Sequence, residues 1–177
     1  MPGLVIAGPN GSGKTTLGRC LAQRLSCPQL DAEDFAFLPS DAPYSRPRPR
    51  EETRALLLEA MRQHPRFILT AVSGDFGPEA DSLYAGALWL DAPLALRLAR
   101  VRQRSLHQLG QRAMPGGDLY TQEEAFLRFV AGRSMDAAEA WLRRLRCPVL
   151  HLDGTLPVAE AAAAVLRWLP ETLRPAP

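Results

Sequence analysis

The sequence predicts an α/β protein built on a parallel sheet with helices on both faces. Three observations carry this expectation. Segments of helical periodicity alternate with short apolar runs along the chain. Those runs are nearly continuous in Leu, Ile, Val and Ala, as strands buried on both faces must be, instead of alternating with polar residues. The first run, residues 4–7, breaks into a glycine-rich loop that opens into a helix with leucines at 17, 21 and 25, the strand–loop–helix unit from which such sheets are assembled.

The elements follow in order. Residues 28–31 read as a short second strand ending in Asp31, and residues 39–50 as a loop rich in proline and arginine. Leucines and Met61 at helical spacing predict a helix over 51–64. The β-branched apolar run 67–72 predicts a buried strand with 73–78 as its exit loop. Residues 87–91 read as another buried strand, ending in Asp91, and 93–109 as a helix carrying Arg97, Arg100, Arg102 and Arg104. A loop over 110–119 contains Arg112 and Pro115-Gly116-Gly117. Thr121 and Glu124 have the spacing of a helix N-cap and its capping box, opening a helix that continues, broken near Gly132, towards Arg146. Residues 147–152 read as the last strand, 158–169 as an alanine-rich closing helix and 170–177 as a loose tail.

Bulk properties narrow the classes. A chain of 177 residues fits one domain with a sizeable core. A net charge of +2 argues against nucleic acid or a membrane surface as partner. No apolar run approaches the roughly 18 residues that span a bilayer. The chain enters its first strand directly, so no leader is expected. Cys20, Cys27 and Cys147 lack metal-ligand spacing and read as reduced thiols, so a cytoplasmic location is expected.

Gly8 to Thr15 fits G-x-x-x-x-G-K-[ST], the phosphate-binding P-loop. Glycines at 8, 11 and 13 admit backbone angles closed to other residues and leave room for a phosphate. Backbone amides would form an anion nest at a helix N-terminus. Lys14 would reach the β- and γ-phosphates, and the Thr15 hydroxyl would coordinate Mg²⁺. Of the 21 basic residues, Lys14 is the one lysine. Lysine persists where a compact ammonium does what a planar guanidinium does not.

The loop says nucleotide, not reaction. The Leu-Ser-Gly-Gly-Gln signature of ABC ATPases is missing, and the guanine motif of GTPases needs a second lysine. The chain is short for AAA+ or helicase motors. Residues 90–93 and 98–104 resemble instead the strand-to-lid-helix passage of nucleoside monophosphate kinases and their relatives. Residues 153–158 resemble the loop behind the adenine ring, and 112–118 resemble the lid of small bacterial "AAA domain" or adenylate-kinase-like ATPases. This resemblance implies a P-loop NTPase fold, a three-layer αβα sandwich with a five-stranded parallel sheet in order 2-3-1-4-5 and a helical lid. It implies one domain over 1–177, with a lid at about 97–120 and an acceptor-binding region at about 31–64. It also implies ATP and Mg²⁺ as cofactors and a small-molecule acceptor as partner, with no nucleic acid and no membrane.

Site residues follow from both readings. Lys14, Arg104, Arg112 and Asp34 are the catalytic candidates. Arg100 sits four residues before Arg104, on the same helix face. Gly8, Pro9, Asn10, Gly11, Ser12, Gly13, Lys14, Thr15, Thr16, Arg100, Gly154 and Pro157 are the nucleotide-binding candidates. Thr15, Asp31 and Asp75 are the candidates for Mg²⁺. In shikimate and gluconate kinases an acid pair placed like Asp31 and Asp34 helps hold metal and acceptor; helix capping is the alternative for both. Asp91 reads as a cap of the lid helix. Arg46, Arg48 and Arg50 read as part of a stiff, solvated connector, with an acceptor-binding arm as the alternative. Phe35, Phe37 and Tyr44 could line the acceptor pocket or pack in the core. No arginine follows Ser73 to Gly77, where monophosphate kinases grip a nucleotide acceptor, which lowers the case for such an acceptor. The expected activity is an ATP-dependent phosphotransferase; the alternative is a nucleotide-binding regulatory ATPase acting through a protein partner.

Overall fold

A computed structural model describes residues 3–41, 44–170 and 173. Five strands, β1 (Gly3–Ala7), β2 (Gln29–Asp31), β3 (Phe67–Thr70), β4 (Tyr84–Asp91) and β5 (Val149–Asp153), form one sheet in the order β2-β3-β1-β4-β5. Every pairing is parallel, so the expected topology is the observed one.

Residue parity along the central strand decides the layers. Leu4 and Ile6 of β1 face one side and pack with Leu17, Leu21 and Leu25 of α1 (Lys14–Leu25) and with Ala161, Ala162 and Val165 of α8 (Val158–Trp168). Val5 and Ala7 face the other side. They pack with Leu57, Leu58 and Met61 of α3 (Arg50–Arg62) and with Ala138, Trp141 and Leu142 of α7 (Asp136–Arg144). Each leucine buried in this way contributes about 1.5–3 kcal/mol. The remaining helices lie towards the carboxyl edge of the sheet or outside it. They are α2 (Ala32–Ala36), α4 (Pro78–Asp81), α5 (Leu94–Leu109), a 3₁₀ turn (Gly110–Ala113) and α6 (Tyr120–Gly132). Helices α5 and α6 pack on each other; α5 and the 3₁₀ turn span most of the region expected to act as a lid, about 97–120.

Several local expectations are corrected. Thr121 does not cap α6, which begins one residue earlier; its N-cap is Leu119, which makes no side-chain capping bond. Asp91 does not cap α5, whose N-cap is Pro93; its carboxylate accepts from the Ala92 amide at 2.7 Å and faces Arg97 Nε at 3.7 Å. The proline–arginine stretch is solvated as expected, with residues 44–47 and 49–50 exposed, but it is not a free-standing connector. It folds back on α2 through Leu38 N–H to Arg46 O and Arg48 N–H to Ala36 O, each 2.8 Å. Arg48 is spent on structure, donating to the Phe35 and Phe37 carbonyls at 2.9 Å each and pairing with Glu52. In the tail, Leu173 is buried against the α1–α8 layer; residues 171–172 and 174–177, also expected to be loose, lie outside the described residues. Among the described residues no helix is long and apolar enough to cross a membrane.

Candidate active site

The β1–α1 loop occupies the carboxyl edge of the central strand. Gly13 precedes α1 with φ 104°, a left-handed conformation that favours glycine. The amides of Lys14, Thr15 and Thr16 belong to the first turn of α1, where N–H groups lack intrahelical acceptors. Ser12 Oγ is buried and has no hydrogen-bond partner. An anion at this helix terminus would meet unspent donors and the positive end of the dipole.

Three loops are knotted here. The Gly154 amide donates to Asp91 O at 2.6 Å, and a Cβ on Gly154 would lie 2.7 Å from Ser12 O and 2.8 Å from Asp91 O. Only glycine permits that approach. Arg100 ties the knot from the lid. Its Nη1 donates to Gly154 O at 2.9 Å, Ser12 O at 3.3 Å and Gly11 O at 3.5 Å. Asp153 shapes the following turn by accepting from the Thr155 amide, which holds its carboxyl below the usual range.

These elements border a cleft of about 1080 Å³ lined by Asn10 to Thr16, Asp31, Asp34, Arg100, Arg104 and Gly154, among others. Lys14 Nζ donates back to Pro9 O at 2.8 Å. Desolvation lowers its pKa to about 8 against the opposing pull of Glu33 and Asp31, with Arg104 and Arg133 adding to the fall. Thr15 Oγ1 donates to Asp31 Oδ2 at 2.9 Å, while the other carboxylate oxygen accepts from the Glu33 amide and caps α2. The capping reading of Asp31 is observed, and its second oxygen stands against the Thr15 hydroxyl. Partial desolvation and then the Asp31 charge raise the Asp34 carboxyl above its usual value. Phe37 and Tyr44 meet edge-to-face at 5.3 Å and line the cleft, and Arg104 lies 5.8 Å from the Tyr44 ring centre. Phe35 packs against the core.

The cleft shares Ala36, Phe37, Thr53 and Phe76 with a second cavity of about 490 Å³, lined also by Arg48, Arg54 and Asp75. There the Arg54 Nε is buried without a partner.

Five predicted residues do not line the cleft. Gly8 lies against the Leu90 carbonyl and donates to Val72 O, and Pro9 supplies the carbonyl that holds Lys14. Asp75 does not line the phosphate cleft; it pairs with Arg144 at 2.6 Å, because the β3 exit loop is drawn towards α7 and β4, with Tyr84 donating to Gly74 O. Arg112 is exposed and held by Asp118 at 2.8–3.2 Å, outside the cleft. Pro157 is the N-cap of α8, and its neighbours Leu156 and Val158 line the cleft instead. Sequence reasoning missed Arg54 and Arg133. Arg54 had a signal, since it shares a helix face with Leu57, Leu58 and Met61. Arg133, just past the end of α6, gave none.

The donors suit a hard cation. Thr15 and Asp31 offer oxygens, and among the described residues no three His, Cys, Asp or Glu are grouped to hold an ion. That fits Mg²⁺, which binds through one or two protein oxygens and otherwise through phosphate and water.

Comparison with known proteins agrees with this geometry. A family model described as AAA domain matches residues 4–114. The uncharacterized protein YqaC of Bacillus subtilis is 30% identical over 172 residues, covering 93% of this chain and 95% of its own. A shikimate kinase of Ruegeria pomeroyi is 31% identical over 134 residues, covering 69% and 68%. Among solved structures, a gluconokinase from Sinorhizobium meliloti 1021 superposes with TM-score 0.53 at 16% identity over 97% of this chain and 91% of that one. A sugar kinase from Janibacter sp. HTCC2649 gives 0.56 at 18% identity over 99% of both. The chain belongs to the AAA domain family, among the P-loop proteins related to small-molecule kinases.

Proposed function

We propose that the protein transfers the γ-phosphoryl group of ATP to a hydroxyl of a small acceptor that carries an anionic group. The observation that carries this reading is the adjacency of the two cavities. A phosphate-binding cleft lined by Asp34, with a second pocket bordering it across Ala36, Phe37, Thr53 and Phe76, leaves space for a second substrate, which a nucleotide switch does not need. Arg54 in the lining of that second pocket supports an acceptor with a carboxylate or phosphate. Relatives named shikimate kinase and neighbours named gluconokinase and sugar kinase support a small-molecule acceptor.

In this reading Lys14 and the first-turn amides of α1 hold the β- and γ-phosphates, and Arg104 neutralises charge on the moving group. Phosphoryl transfer needs placement and charge neutralisation more than covalent help. Asp34 accepts the acceptor's proton as its oxygen bonds to the γ-phosphorus and the bond to the bridging oxygen of ADP breaks. Thr15 and Asp31 would hold Mg²⁺, which would supply further neutralisation. Arg112 reaches the site only if the lid tip moves.

The test is ADP release measured against a panel of hydroxy acids, sugar phosphates, sugars and nucleosides. A true acceptor raises release by about tenfold or more over hydrolysis, and Asp34→Asn lowers that transfer by about 10²-fold. Release that no small molecule stimulates, but a protein does, would replace this reading with the regulatory ATPase.

A further inference from the structure

Seven arginines, Arg48, Arg62, Arg97, Arg102, Arg112, Arg143 and Arg144, each pair with a carboxylate. The cations that line the cleft are Lys14, Arg19, Arg100, Arg104 and Arg133, and among the described residues none of these five belongs to an ion pair. Arg100 is already spent on backbone carbonyls. Lys14 and Arg133 are held in the same manner by successive residues of one loop. Lys14 donates to the Pro9 carbonyl at 2.8 Å, and Arg133 Nη1 donates to Asn10 Oδ1 at 3.2 Å.

Neutral acceptors are the weaker partners for a cation. An anionic phosphate adds a full charge–charge attraction that a neutral oxygen lacks, so both groups stand ready to exchange a neutral oxygen for a phosphate. Asn10 is a fixed support, only 7% exposed. Arg133 is additionally steadied over the Phe129 ring at 5.3 Å from its centre. Desolvation lowers its pKa, and its charge also depresses that of Lys14, so the two cations share one electrostatic neighbourhood.

We propose that Arg133 is a binding residue for the terminal phosphate of the nucleotide and that Asn10 is its positioning residue. The pair distinguishes triphosphate from diphosphate. It sits where α6, which packs on α5, hands over to α7, so occupation by the third phosphate also ties the far end of this helix pair to the loop, as Arg100 ties the near end.

This inference rests on the nucleotide reading of the loop, and its test uses binding instead of turnover. Titration calorimetry of the full chain would compare Mg²⁺–ADP with a non-hydrolysable Mg²⁺–ATP analogue. Arg133→Gln weakens the analogue about tenfold and ADP less than about twofold, the size of one lost charge-assisted hydrogen bond. Asn10→Ala weakens the analogue about threefold and ADP less, so the preference for triphosphate shrinks. Arg133→Lys restores less than half, because a point charge cannot bridge Asn10 and phosphate as a fork can. Equal losses for both nucleotides, or none, would overturn the assignment. So would an Arg133→Gln chain that fails to fold, combined with an Asn10→Ala chain that keeps its triphosphate preference. Wild-type protein that binds neither nucleotide would remove the underlying reading as well, which separates the two failures.

Discussion

The near end of the lid and its tip are built on opposite principles. At the near end, Arg100 is half-buried and donates to three backbone carbonyls, locking α5 to the phosphate loop and to the turn after β5. At the tip, Arg112 is exposed, held by Asp118 across a turn and donating to the exposed Asp41 O at 3.2 Å. Carbonyls of packed loops cannot follow a moving side chain, whereas exposed polar contacts exchange readily with water or phosphate. The phosphate end of the cleft is thus braced by half-buried contacts, and the tip is held only by exposed ones.

The largest break in that comparison comes from the centre of the braced end. Lys14→Ala lowers ADP release by about 10³-fold, the scale of a lost transition-state donor, with an unchanged far-UV circular dichroism spectrum. Full turnover in a folded variant would refute the scheme. Next in size, Arg100→Ala destabilises the fold by about 1.5–3 kcal/mol in urea titrations and weakens nucleotide binding with it. Arg112→Ala sharpens the contrast from the other side. Its ion pair is exposed, so chemical denaturation shifts by less than about 0.5 kcal/mol, yet turnover falls if the tip closes.

The protonation of Lys14 gives a subtler test. Its folded pKa of about 8 lies below the ordinary 10.5. Burial therefore penalises the protonated form, and the penalty is fully present below pH 8. Between about pH 8 and 10.5 the unfolded chain binds more protons than the folded one, so this group's contribution to stability rises with pH. Nucleotide binding shows the opposite trend, because phosphate favours the ammonium. Affinity falls above pH 8, and binding there takes up a proton, measurable as buffer-dependent heat in calorimetry. Heat independent of buffer at pH 8.5 would show that Lys14 does not titrate there.

How far the site was legible follows from the kind of contact each residue makes. Asn10 to Thr16, Arg100 and Gly154, which line the cleft, each stand in a local pattern, a loop spelling or a position just past a strand. Two residues were misjudged because their partners lie far away in sequence. Asp75 was offered as a metal ligand, but Arg144, 69 positions away, occupies it. Arg133 was passed over, and its partner Asn10 lies 123 positions away.

The sequence by itself determined the layered parallel sheet and the phosphate loop, while the strand order was what the family resemblance implied. Those depend on apolar periodicity and on glycine placement, which act within a few residues of themselves. Only the tertiary structure decided which of the chain's arginines face the cleft. A charged side chain settles according to whether a carboxylate, a carbonyl or an open cavity stands across from it, and the fold alone brings those partners within reach. Arg144 met a carboxylate and was neutralised, Arg100 met backbone carbonyls and became a brace, Arg104 met an aromatic ring, and Arg133 met a neutral side-chain amide.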